Sequence, residues 1–199
     1  MKRKLEQIEN DKNASDKVKK ASLVRNFDEI LKLGLATCHE NISIVHSSTT
    51  SEAFRLNLLN LTKVNMKKMY KVSKGVKWSE SEKYKELFSK RSRLLIYFDE
   101  VHKDIVNGFA HFRFEMDIDN DPLRPILYLY ELQIQKTAQR KGIGNKIVHL
   151  LITLGKALEM EKIMLTSLKI NENANTFYKN FGFELDPSTP SKWGIEVGT

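Results

Sequence analysis

The sequence predicts an α/β fold of the α+β kind, a mixed sheet with helices packed on it. Three observations carry the prediction. Residues 126–134 form an apolar run that leads into Gln139-Arg140-Lys141-Gly142-Ile143-Gly144, and residues 145–159 beyond it are amphipathic. That order is strand, basic glycine loop, helix. Residues 162–168 then make a second apolar strand. Upstream, residues 93–99 and 109–114 have strand character, and two antiparallel strands feeding a third give a mixed sheet rather than a purely parallel one.

Each element follows from a local pattern. Residues 15–34 place Val18, Ala21, Val24, Phe27, Ile30 and Leu31 near helical spacing, with Gly34 as the stop. Residues 1–14 before them are a basic tail, flexible or helical, and a single domain is expected over residues 15–199. Ile42-Ser43-Ile44-Val45-His46 is a short strand. Ser51 and Glu52 open a long helix to about Ser73, with Phe54, Leu58, Leu61, Met66 and Met69 on one face. Trp78-Ser79-Glu80 starts another helix, to about Lys90. Asn107-Gly108 carries a hairpin-turn signal, and Asp119-Asn120-Asp121-Pro122 makes a second turn. Gly182 suits the left-handed stop of a short helix that follows Asn171.

Composition excludes several classes. Hydrophobic residues are 41% and charged residues 29% of the 199, which is globular rather than disordered. Cys38 is the single cysteine, so neither a disulfide framework nor a cysteine zinc site is expected, and no metal is called for. No apolar run reaches membrane-spanning length and no signal-peptide pattern is present, so a cytoplasmic and nuclear location is expected, with no membrane partner. The net charge is +8, from 33 Lys and Arg against 25 Asp and Glu. Much of the excess sits before residue 26, where a solvated helix face is the simpler reading and ribosome or chromatin association the alternative. Nothing in the pattern specifies a nucleic acid.

The glycine loop has its own chemistry. A loop of this kind points several backbone N–H groups at one spot, at the positive end of a helix dipole. Gly142 and Gly144 leave room for close approach, and Arg140 and Lys141 add charge. A phosphate or pyrophosphate is the matching ligand. A Walker loop is excluded because Asn145 stands where Lys-Ser/Thr would be needed, and a dinucleotide fingerprint because the motif comes late and is basic.

The pattern Arg/Gln-x-x-Gly-x-Gly/Ala after a strand resembles the acetyl-CoA loop of the GNAT N-acetyltransferase superfamily. Asn171 and then Phe177-Tyr178, ahead of Phe181-Gly182-Phe183, resemble that superfamily's second signature. The resemblance implies a GNAT fold, here with an extra N-terminal helical segment, and acetyl-CoA as co-substrate. Met69-Tyr70, Ala110-His111-Phe112-Arg113-Phe114, Tyr128-Leu129-Tyr130-Glu131, Met164-Leu165-Thr166 and Ser188-Thr189-Pro190-Ser191 resemble one branch of it. These are the D-type N-terminal acetyltransferases (NatD), which modify the N-terminal serine of histone H4 and histone 2A.

For the site, the residues and the resemblance are read together. Glu131 interrupts an apolar run beside the cofactor loop, where burial would raise its pKa toward use as a base. A salt-bridged structural carboxylate is the competing reading. The resemblance implies Glu131 as general base and Tyr130 as the group that bonds the substrate N-terminus. Tyr128 and Tyr130 share a strand face by period two, so a regular strand points Glu131 away from them and a bulge would be needed to bring it round. The resemblance further implies substrate contacts from Tyr70, Tyr128, Thr166 and Ser188, and an acidic clamp for a basic peptide at Glu115, Met116 and Asp117. It implies backbone contacts to the cofactor from Leu132, Gln133 and Ile134, and pyrophosphate binding at Arg140, Lys141, Gly142, Ile143, Gly144 and Asn145. It implies a pantetheine contact from Asn171 and makes Tyr178 a candidate acid. Basic histone tails are the expected partners, and the helical N-terminal region is expected to make an auxiliary subunit unnecessary. A GNAT enzyme for lysine side chains or small amines, and a non-catalytic GNAT binding domain, are the rivals.

Overall fold

A computed structural model of the chain describes residues 2–34, 41–73, 75–118 and 122–186. Helix α1 (Lys2–Leu23) and helix α2 (Asp28–Gly34) come first, then strand β1 (Ile42–His46), helix α3 (Glu52–Val72) and helix α4 (Glu80–Leu87). Strands β2 (Arg93–Phe98), β3 (Val106–Asp117) and β4 (Arg124–Ile134) follow. Helix α5 (Ile143–Ala157), strand β5 (Lys162–Leu165) and helix α6 (Glu172–Asn180) complete the order.

The five strands lie in chain order in one sheet. β1 to β4 are antiparallel neighbours and β5 runs parallel to β4. This is the mixed sheet that the sequence predicts. Alternation along the strands feeds two cores. Leu95 and Tyr97 of β2 join Phe112, Phe114, Leu127 and Leu129 under α1, α2 and α5. Leu94 and Ile96 join Phe109 under α3 and α4, against Leu58, Leu59 and Leu87. Ser51 and Ser79 cap α3 and α4, their hydroxyls accepting from Phe54 N and Glu82 N, so both helix starts fall where expected. Gly182 takes φ 93°, as a left-handed stop requires.

Three expectations are corrected. The helix over 15–34 is two helices. Asn26 Oδ1 accepts from Asp28 N and opens a new helix at Asp28, while Phe27 is buried in the gap. The basic stretch before Ser15 belongs to the first of them, from Lys2. Asn107-Gly108 is not the hairpin turn but lies inside β3. The turn comes earlier, where Asp99 Oδ1 accepts from Val101 N and His102 N, each at 3.0 Å. Gly108 is required by close approach, since a Cβ there would stand 2.5 Å from Ile134 Cδ1 and 2.9 Å from Gln133 O. Finally, β5 ends at Leu165 rather than 168, which leaves Thr166 just past its end. The turn expected at 119–122 lies largely outside the described residues.

The N-terminal helices are integral to the domain. Arg93 is 2% exposed, and its Nη2 donates to Ser22 O at 2.6 Å, which ties the end of α1 to β2. Burial, with the Arg25 charge added, pulls its pKa down to about 10. Asp11 accepts from Leu123 N at 3.0 Å, and α2 lies against α5.

Candidate active site

β5 pairs with β4 from Ile126↔Lys162 to Leu129↔Leu165 and no further. From Tyr130 onward the sheet is open on that side, so β4 and β5 splay apart. Gln139-Arg140-Lys141 and Gly142 follow β4, and Gly142, at φ 80°, is the N-cap of α5 with no side-chain cap bond. The first N–H groups of a 15-residue helix therefore point out of the loop without a capping side chain. A hollow of about 310 Å³ lies at that helix start, lined by Arg140, Asn145, Asn173, Thr176, Phe177 and Asn180.

The opening of the splay coincides with a β-bulge. His111 pairs with Glu131 and the next residue, Phe112, with Leu129, so Tyr130 is the extra residue. The bulge changes the phase of β4. Leu127 and Leu129 face the α5 core before it, and Leu132 and Ile134 face the same core after it. Tyr130 and Glu131 consequently both point to the opposite face, under α3 and α4. The conflict left by a regular strand is resolved by the extra residue.

Glu131 is 6% exposed and both its oxygens are engaged. Lys83 Nζ of α4 donates to Oε1 at 2.7 Å, and Gln133 Nε2 donates to Oε2 at 2.6 Å. Lys83 Nζ also donates to Glu86 Oε1 at 2.6 Å. Burial works against the Lys83 charge, but Glu131 and Glu86 outweigh it and hold the pKa well above the usual lysine range. The Tyr70 ring lies 5.7 Å from the same ammonium and 5.6 Å edge-on from Trp78. Burial raises the Tyr70 pKa.

Tyr130 is ringed by aromatic and basic groups. His111 stacks on it at 5.0 Å, Tyr128 lies 4.7 Å away and the Arg113 guanidinium 4.3 Å above its ring. Its hydroxyl donates to Glu115 Oε2 at 2.9 Å, and burial with the Glu115 charge pushes its pKa up to about 12. Tyr128 and Thr166 share a hydroxyl pair at 2.6 Å across the mouth of the splay. His111 is fully buried, with Nε2 on Ser92 Oγ at 2.8 Å and Nδ1 without a partner. Burial, Arg113 and Lys83 hold its pKa well below 6.5, so the ring is neutral. Tyr178 of α6 is half-buried against the α5 core, and desolvation together with the Glu131 charge raises its pKa.

Most of the expected residues converge here, but not all. Tyr70, Tyr128, Tyr130, Glu131, Glu115 and Thr166 share the α3/α4 side of the sheet. Met116 alternates onto the other side, with Phe112 and Phe114. Asp117 is 3% exposed and ion-paired at 2.5 Å with Lys162, which also holds Asp186 at 2.8 Å. Asn171 Oδ1 caps α6, accepting from Ala174 N at 3.3 Å. Ser188 lies outside the described residues. Trp78, Lys83, Glu86, His111 and Arg113 complete the cluster and were not picked from the sequence as site residues.

The comparisons with known proteins agree with this fold. The model of the acetyltransferase (GNAT) family matches residues 63–183, more than half of the 199, and the chain belongs to that family. A mutant of a Bacillus halodurans protein is 20% identical with a TM-score of 0.55, covering 74% of this chain and 95% of that one. A putative acetyl transferase from Pyrococcus furiosus is 19% identical with a TM-score of 0.54, over 73% of this chain and 94% of that one. An aminoglycoside acetyltransferase from an uncultured soil metagenomic sample, in complex with trehalose, is 17% identical. Its TM-score is 0.52, over 73% of this chain and 90% of that chain. At such identities the likeness is one of fold. The family uses acetyl-CoA, and the residues present fit it: a splayed pair of strands for an extended arm and an uncapped helix start with Arg140 for phosphates.

Proposed function

We propose that this protein acetylates the N-terminal α-amine of basic peptides that begin with serine, as in histone H4 and histone 2A, and is of the NatD type. The observation that carries the reading is the bulge at Tyr130, which puts Glu131 and Tyr130 on one face beside the splay. Arg140, the Lys141–Asn145 backbone and the open edge of β4 at Leu132, Gln133 and Ile134 hold acetyl-CoA, which supplies the acyl group when bound.

Glu131 receives the proton that the α-amine must lose, directly or through one water. An α-amine has a pKa of about 8, so a modest base suffices. A carboxylate offers about four lone-pair sites, and Lys83 and Gln133 use two of them. The new N–C bond forms as the C–S bond breaks, and the phenol of Tyr178 offers a hydrogen bond to the departing sulfur. Tyr130 and Tyr128 border the amine, and Glu115 draws the cationic side chain that follows it. The docking of α1 and α2 on the domain supports activity without an auxiliary subunit; the expected place of action is the cytoplasm and the nucleus.

The test is mass spectrometry of a Ser-Gly-Arg-Gly peptide incubated with the protein and acetyl-CoA. A copy with a blocked N-terminus and an added lysine, and an aminoglycoside, run in parallel. Acetyl on the free α-amine alone is the expected result. Acetyl on lysine or on the aminoglycoside overturns the α-amine reading.

A further inference from the structure

We infer that Lys83 is a positioning residue of the reaction, holding the Glu131 carboxylate in place and shared between it and Glu86. The inference rests on Glu131 as the base. Lys83 is the charged residue of α4 that turns into the sheet, at 9% exposure, while Glu80, Glu82 and Lys85 of the same helix are exposed. Glu86, three residues on, already supplies it with a partner at 2.6 Å. Its second bond, to Glu131, crosses 48 residues of sequence to reach the bulge. An ion pair as buried as this one contributes little stability compared with apolar packing of the same volume, so its use lies elsewhere.

Geometry says where. Lys83 fixes Oε1 of Glu131 and Gln133 fixes Oε2, while Gln133 Oε1 is held in turn by Asn65 Nδ2 at 3.0 Å. With both oxygens fixed, the carboxylate cannot rotate, and its remaining lone pairs keep one direction. The Tyr70 ring face lies over the ammonium. One ammonium between two carboxylates leaves the cluster with a net charge of minus one. That residual charge attracts the α-ammonium of an incoming peptide, while the Lys83 charge stops the two carboxylates from repelling each other apart.

The experiment is a double-mutant cycle of Lys83→Met and Glu131→Gln. It is read as kcat for CoA release with Ser-Gly-Arg-Gly, KM for acetyl-CoA, and thermal midpoint. Glu131→Gln is expected to lower kcat about 100-fold, and Lys83→Met about tenfold with KM for acetyl-CoA unchanged. In the Glu131→Gln background, Lys83→Met is expected to have no further effect on kcat, because it acts through Glu131. An equal loss in both backgrounds, or a wild-type kcat for Lys83→Met, overturns the inference while leaving the base in place. A wild-type kcat for Glu131→Gln removes the base and the inference with it. If the wild type does not turn the peptide over, the proposed acceptor is wrong. The thermal cycle then decides, since additive shifts from the two substitutions overturn a Lys83–Glu131 coupling. Should Lys83→Met not fold, Lys83→Gln, which keeps a donor and loses the charge, takes its place.

Discussion

From Arg124 to Leu129, β4 is paired with β3 on one side and faces β5 on the other, and its inward residues are leucines. From Tyr130 to Ile134 it keeps β3 alone, starts with a bulge and presents Tyr130, Glu131 and Gln133 on the face opposite Leu132 and Ile134. One strand thus does two jobs. The first half is held by alternation and buried apolar area. The second half gives up a neighbour, so its backbone edge and polar side chains can face a ligand. The lesson is that a single inserted residue can convert core strand into reaction site without interrupting the sheet.

The comparison can be broken from either end. The largest effect is expected in the first half. Leu127 is fully buried, and Leu127→Ala should cost about 3 kcal/mol in urea unfolding, with kcat per folded molecule retained. Just past the second half, Gly142 sits at φ 80° at the start of α5. Gly142→Ala should cost about 1–2 kcal/mol and also weaken acetyl-CoA binding by calorimetry; stability loss with intact binding would detach the loop from the cofactor.

A smaller effect depends on pH. Folded His111 titrates well below 6.5, so below that pH the unfolded chain binds a proton that the folded chain does not. Stability should therefore fall as pH drops through about 6.5, by up to about 1.4 kcal/mol per unit. Denaturant unfolding at about pH 7.5 and 5.5 should show a loss of about 1 kcal/mol that His111→Gln lacks. The smallest effect is at Glu115, which is partly exposed and shared with Arg91 and Arg113. Glu115→Gln should reduce the preference for a Ser-Gly-Arg-Gly peptide over its Arg-to-Ala version about fivefold. An equal loss on both peptides would sink the clamp.

The strands, the starts of α3 and α4 and the glycine loop were legible because each rests on local pattern, such as the run 126–134 or the serine caps at Ser51 and Ser79. What was not legible depends on partners far along the chain. Asn107-Gly108 has the form of a turn, but Asp99 turns the chain first and the glycine is needed for Ile134 instead. Lys83 has the look of an ordinary surface lysine in Glu-Lys-Tyr-Lys-Glu, and only the bulge at Tyr130 brings Glu131 to it. Met116 and Asp117 were grouped with Glu115 by resemblance, where neither the alternation that puts Met116 on the other face nor the pairing of Lys162 with Asp117 could be read. The bond by which the Asn171 oxygen caps α6 was not visible in the signature that the residue matches.

The central claim is that the second half of β4 is where the proton is taken. The direct measurement is kcat of Glu131→Gln beside its calorimetric affinity for acetyl-CoA. A fall in kcat of about 100-fold with affinity unchanged is expected. A rate within about threefold of the wild type, on a protein that still binds acetyl-CoA, would contradict it.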